Sequence, residues 1–197
     1  MIMKRLILPI VLICFFALPV YAFNPMVVCG GGVEAGASCT VDNDSELDNT
    51  GWDTHAGNIT NPYVCSEVTL SAQSTITQYI IGIYDGGGDA GSEIASLWTD
   101  GTNEPGSLID NSSKTIAMTS IGPTTEAVVF VLDTPLTAQP SGTYWVCVQE
   151  SGGSAHFVTY DGTGESGERI CYDTDGVGPW ACNADVALGV GIYGCED

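Results

Sequence analysis

From residue 23 onward the chain carries no hydrophobic repeat of helical period. What recurs is short runs of β-branched and aromatic residues, each broken by Gly, Pro, Asn, Asp or Ser. These runs predict strands near 64–72, 76–85, 93–99, 113–119, 126–132, 142–150, 155–160 and 184–194. Turn signals stand between them at Asp85-Gly86-Gly87-Gly88, Asp100-Gly101, Pro105-Gly106, Gly122-Pro123, Pro140-Ser141-Gly142 and Ser151-Gly152-Gly153. So many short strands at this spacing predict an all-β fold: a single antiparallel β-sandwich, jelly-roll-like, with a disulfide-stapled N-terminal extension. Within 66–72, Val68 and Leu70 point one way and Glu67 and Thr69 the other, as in a half-exposed strand. Within 126–132 both alternating sets are apolar, which predicts a central strand covered on both faces.

The first 22 residues fall outside this pattern. Lys4 and Arg5 precede an apolar run from Leu6 to Val20, followed by Tyr21-Ala22, the layout of a secretory signal peptide cut after Ala22. The expected organisation is a signal peptide over 1–22, an acidic, Gly-rich extension over 23–62, and the β-sandwich domain over 63–197. Beyond the leader only Lys114 and Arg169 stand against 24 acidic residues. A chain this acidic repels nucleic acid and anionic lipid, and it favours cations or neutral ligands. The expected protein is secreted, with no membrane insertion once the leader is removed.

Export predicts oxidised cysteines. Of the eight in the chain, Cys14 belongs to the leader and the others are Cys29, Cys39, Cys65, Cys147, Cys171, Cys182 and Cys195. Local spacing favours Cys29–Cys39 and Cys171–Cys182, and a Cys65–Cys195 bridge would tie the first strand to the last. Cys147, inside the apolar Tyr-Trp-Val-Cys-Val run, is then the expected free thiol. No Cys-x-x-Cys pair is present to suggest zinc.

The order of landmarks from about Glu67 to Tyr193 carries a resemblance. These landmarks are Thr75-Ile76-Thr77-Gln78, Ile83-Tyr84-Asp85-Gly86-Gly87-Gly88, Leu97-Trp98-Thr99-Asp100 leading into Glu104-Pro105-Gly106-Ser107-Leu108-Ile109, Pro135-Leu136-Thr137, Gly142-Thr143-Tyr144-Trp145-Val146, and Trp180 followed by Asp185-Val186-Ala187-Leu188. Together they resemble secreted bacterial jelly-roll modules of the choice-of-anchor, carbohydrate-binding-like type. The resemblance implies an extracellular location and a role in binding or surface display. The cysteines and the N-terminal 40 residues depart from that pattern.

Two kinds of residue are candidates for a site. Asp42, Asp44, Glu46 and Asp48 alternate along one acidic stretch, and Asp42 to Asp53 has the span of a 12-residue calcium loop. Leu47 stands where such a loop needs glycine. Asp173 and Asp175 form a second acidic pair, so structural Ca2+ is expected at one of these places. Aromatic rings stack on the apolar faces of sugars. If Leu97 faces the core, Trp98 faces outward, so Trp98 is a candidate ligand residue, together with Trp52 in the acidic extension. Trp145 and Trp180 are expected to pack. Ser154 and His156 lie in no Gly-x-Ser-x-Gly elbow, and Gly30-Gly31-Gly32 and Gly86-Gly87-Gly88 lead into no helix. The expected function is therefore non-catalytic: carbohydrate or surface binding, with a neutral glycan or cell-surface or matrix component as partner. The alternative is a structural subunit of an extracellular fibre, sheath or surface layer, with copies of itself as partners.

Overall fold

A computed structural model of the chain describes residues 63–85, 91–117, 126–151, 156–158, 160–161, 169–173, 175–184 and 187–197. All regular structure among them is strand. The elements are β1 (Tyr63–Leu70), β2 (Ser74–Asp85), β3 (Ser92–Asp100), β4 (Pro105–Leu108), β5 (Lys114–Ala117), β6 (Glu126–Gln139), β7 (Gly142–Ser151), β8 (His156–Val158), β9 (Tyr160–Asp161), β10 (Arg169–Asp173), β11 (Ala181–Ala184), β12 (Ala187–Leu188) and β13 (Val190–Glu196). Among the described residues no helix is long and apolar enough to cross a membrane.

All pairing is antiparallel. A seven-stranded sheet runs β11-β10-β1-β7-β3-β4, with β5 also on β3, and a four-stranded sheet runs β13-β2-β6, with β8 also on β2. β9 and β12 form a separate pair. Period-two alternation gives each large sheet one apolar face. Val68, Leu97 and Val146 of the first sheet join Tyr79, Ile81, Phe130 and Ile192 of the second in one continuous hydrophobic cluster. Several buried polar groups beside it are hydrogen-bonded. Tyr79 Oη donates to Ser112 O at 2.9 Å. Ser112 Oγ accepts from Leu97 N and donates to Leu97 O, each at 3.1 Å, and thereby serves the edge of β3 between β4 and β5. Ser66 Oγ accepts from Leu188 N at 3.2 Å.

Three strand expectations need correction. The strand expected to be central over 126–132 is, among the described residues, the end strand of its sheet, and Val131 is 54% exposed while Phe130 points inward. That strand also continues through Pro135 to Gln139. Register slips opposite Ser74–Gln78 throw the extra β6 residues into bulges, where a proline lacking an N–H is tolerated. The run expected over 184–194 divides into β11, β12 and β13.

Candidate functional site

The seven-stranded sheet has a second covered face. Opposite the main core, Cys65, Trp98, Trp145, Cys147 and Cys171 form a separate buried cluster, with Tyr63 and Trp180 packed against it. Alternation places them there. In β1 the odd residues Tyr63, Cys65 and Glu67 point away from Val64 and Val68, and in β7 Trp145 and Cys147 point away from Tyr144 and Val146. Trp98 points away from Leu97, as the alternation predicts. It is nevertheless only 7% exposed.

What covers Trp98 is the connection between β10 and β11. Gly176 there adopts φ +72, and a Cβ at that position would lie 3.0 Å from the Tyr63 ring and 3.3 Å from Trp98. Only glycine fits both the left-handed backbone and this close approach. Gly178 N donates to Asp173 Oδ2 at 2.8 Å and Val177 N donates to Asp175 Oδ1 at 3.0 Å, so both carboxylates fold the loop. Trp180 then meets Trp98 and Tyr63 edge-on, with ring centroids 5.9 and 6.4 Å away, and Tyr63 and Trp98 are themselves 5.8 Å apart. Trp98 Nε1 donates to Ser96 Oγ at 2.9 Å. Trp145 is fully buried, and Trp145 and Trp180 both pack.

Beside the rings lies a polar group that no motif in the sequence marks. Trp145 Nε1 and Asn103 N both donate to Asp100 Oδ1 at 3.1 Å. Arg169 Nη1 donates to Asn103 Oδ1 and lies 3.8 Å from Glu67 Oε2. Burial pushes the Glu67 carboxyl above the usual carboxylate range; Arg169 opposes the shift and Asp100 adds to it. Thr102 and Asn103 are consecutive non-glycine residues with positive φ, 79° and 67°. Backbone of this kind persists where neighbours hold it, here Asp100 and Arg169.

Two disulfides run through the same face. Cys65 is joined to Cys147, its direct register partner on β7, and Cys171 is joined to Cys182 across the β10–β11 hairpin. The expected Cys65–Cys195 bridge is therefore corrected, and Cys147 is not a free thiol. Cys65 and Cys147 share the outward face of adjacent strands, whereas Cys195 lies on β13 in the other sheet. Cys195 is disulfide-bonded as well. Cys29 and Cys39 lie outside the described residues, as do Trp52, Asp42, Asp44, Glu46 and Asp48. Among the described residues, no group of three or more His, Cys, Asp or Glu side chains is placed to hold a metal ion. Two bridges built into the sheet point to an oxidising, extracellular-type environment.

No protein-family model matches the chain, and no curated protein matches it.

Proposed function

We propose that the chain is an exported, non-catalytic binding module, and that its ligand face is the outward face of the seven-stranded sheet. The two large sheets are then the layers of one jelly-roll-like β-sandwich, in keeping with the resemblance to choice-of-anchor, carbohydrate-binding-like modules. One observation carries this reading. Two partly exposed rings, Tyr63 and Trp180, stand over a rigid aromatic and cystine layer, beside the polar group of Glu67, Asp100, Asn103 and Arg169. Rings held edge-on by neighbours lose little freedom when a neutral sugar stacks on them, and a nearby amide and guanidinium supply oriented hydrogen bonds. Trp98 acts here as support beneath Trp180. Structural Ca2+ belongs to this proposal through the acidic run at Asp42–Asp48, since Asp173 and Asp175 spend carboxylate oxygens on the backbone of their own loop.

The test is co-sedimentation of the full oxidised protein with insoluble neutral polysaccharides, in calcium and in chelator. Binding to one of them, lost in Trp180→Ala and kept in Val131→Ser on the other sheet, is the expected result. Equal binding by both variants would refute the assignment of the face. The second reading, an assembly subunit, draws on β6, a 14-residue end strand with Val131 exposed. Pelleting of the protein alone as ordered polymer, abolished by Val131→Lys, would favour it.

A further inference from the structure

We propose that the four cysteines at one level of the seven-stranded sheet form a thiol–disulfide exchange line, entered by a small external thiol at Cys182 and passing inward through Cys171 and Cys65 to Cys147. β11, β10, β1 and β7 are consecutive in the sheet. Their register sets Cys182 against Cys171, Cys171 against Cys65, and Cys65 against Cys147. The side chains therefore stand in one row on one face, as two bridges separated by a single strand spacing of about 4.8 Å. The two cysteines facing each other across that gap, Cys171 and Cys65, belong to different bridges.

Exchange is attack of a thiolate on one sulfur of a disulfide, with the other sulfur leaving through a mixed disulfide. The three sulfurs of the transition state lie near a line. In this row Cys171 stands on the side of Cys65 away from Cys147, the side from which an in-line attack must come. An incoming thiolate RS⁻ bonds to Cys182 Sγ, the Cys182–Cys171 bond breaks, and Cys171 leaves with the electron pair. The Cys171 thiolate then bonds to Cys65 Sγ, the Cys65–Cys147 bond breaks, and Cys147 leaves as a thiolate that takes a proton. No net oxidation or reduction occurs: one thiol and two disulfides go in, and one thiol and two disulfides come out.

Exposure decides where the line is entered. Cys65, Cys147 and Cys171 are fully buried, whereas every residue of β11 is exposed and, among the described residues, β11 pairs with β10 alone. The formal charge of −20 selects the class of thiol: a cationic aminothiol is drawn to this surface, whereas an anionic one is repelled. The product carries the incoming thiol on the sheet edge at Cys182 and ties β1 to β10. It also opens the staple of the loop that roofs Tyr63 and Trp98. None of the four cysteines is assigned to ligand contact above, so the proposal stands apart from the glycan reading.

The test treats the full oxidised chain with cysteamine under native conditions, quenches in acid, alkylates free thiols with N-ethylmaleimide and maps the peptides by mass spectrometry. The expected product has cysteamine on Cys182, a Cys65–Cys171 linked peptide and N-ethylmaleimide on Cys147. Cysteamine on Cys182 with Cys171 alkylated and Cys65–Cys147 intact would overturn the inward step. Absence of any Cys182 adduct before tryptophan emission reports unfolding would overturn the entry step. A second arm uses Cys182→Ser, which leaves Cys171 as a built-in thiol. Formation of Cys65–Cys171 with Cys147 alkylated, with no thiol added, is expected. A retained Cys65–Cys147 bridge beside an alkylated Cys171 refutes the line. Should that variant fail to fold, the wild-type arm decides.

Discussion

Replacing Gly176 with alanine tests whether the β10–β11 loop is what buries Trp98. At φ +72 an L-residue pays about 1–2 kcal/mol in the left-handed region. The added Cβ also meets the Tyr63 ring at 3.0 Å, so the ring must give by a few tenths of an ångström or the loop must lift. Lifting breaks the two hydrogen bonds to Asp173 and Asp175, about 1 kcal/mol each, and uncovers part of Trp98. The molecule takes the cheaper route, so the expected destabilisation is about 2 kcal/mol, with the upper limit set by the cost of lifting the loop. Gly142→Ala supplies the quenching control: at φ +149, with nothing within 4 Å of an added Cβ, it strains the backbone without touching the roof over Trp98. Urea unfolding followed by tryptophan emission gives the stabilities, and the change in native-state acrylamide quenching between variants reports the uncovering of Trp98. Gly176→Ala should unfold earlier than wild type and quench more strongly than both wild type and Gly142→Ala. A Gly176→Ala protein within about 0.5 kcal/mol of wild type and with unchanged quenching would refute the packing argument.

Other outcomes follow from the same geometry. Removing Cys65–Cys147, which closes a separation of 82 residues, should cost about 4.5 kcal/mol in the chain-entropy picture, against about 2.8 kcal/mol for Cys171–Cys182 at a separation of 11. Denaturant unfolding of the two paired Cys→Ala variants checks the order, and the reverse order would count against it. Glu67 has its folded pKa raised above the ordinary 4.5, so the native state holds its proton more tightly than the unfolded chain does. Its contribution to stability is full below that value and is lost as pH rises through the folded pKa. Glu67→Gln should therefore gain on wild type at neutral pH, and the gain should vanish below pH 4.5, as read by unfolding at a series of pH values. Tyr79→Phe leaves the buried Ser112 carbonyl without its hydroxyl donor and should destabilise by about 1–3 kcal/mol in the same assay.

Much of the strand layout is legible in the sequence because a sheet with one buried face writes a period of two into the chain. Val68 and Leu70 in β1, and Leu97 against Trp98 in β3, are read correctly for that reason. The alternation says which way a residue points, but it is silent on what lies above it. Trp98 is predicted outward and stands outward, yet a loop some eighty residues later in the chain roofs it. The strands β4 and β10 leave no such mark, because Pro105-Gly106-Ser107-Leu108 and Arg169–Asp173 are too short, and too polar on one side, to announce a period. Cys65 and Cys147 do carry a local signal. Each sits between the inward residues of an alternating strand, so each points away from the core, where only a neighbouring strand can supply a partner. Which strand neighbours which is a property of topology, and the pairing follows from that alone. The polar group at Glu67, Asp100, Asn103 and Arg169 is hidden for the same reason, because its members come from three separate stretches of chain.

The two faces of the seven-stranded sheet answer to different conditions. The inner face is apolar and shares one hydrophobic cluster with the second sheet; burial of Leu97, Val146 and Phe130 drives that contact in any compartment. The outer face is built from tryptophans laid over cystines, with a hairpin loop closed by one of the bridges. Reduced, that face would keep its rings but lose the staple that holds Trp180 and Gly176 over them. The outer face therefore acquires its final form only where disulfides form. A binding role for this face and an exchange role for its cysteines both depend on that one condition. Protein prepared under reducing conditions should accordingly retain sheet content while losing polysaccharide binding, which circular dichroism and co-sedimentation on the same sample would separate.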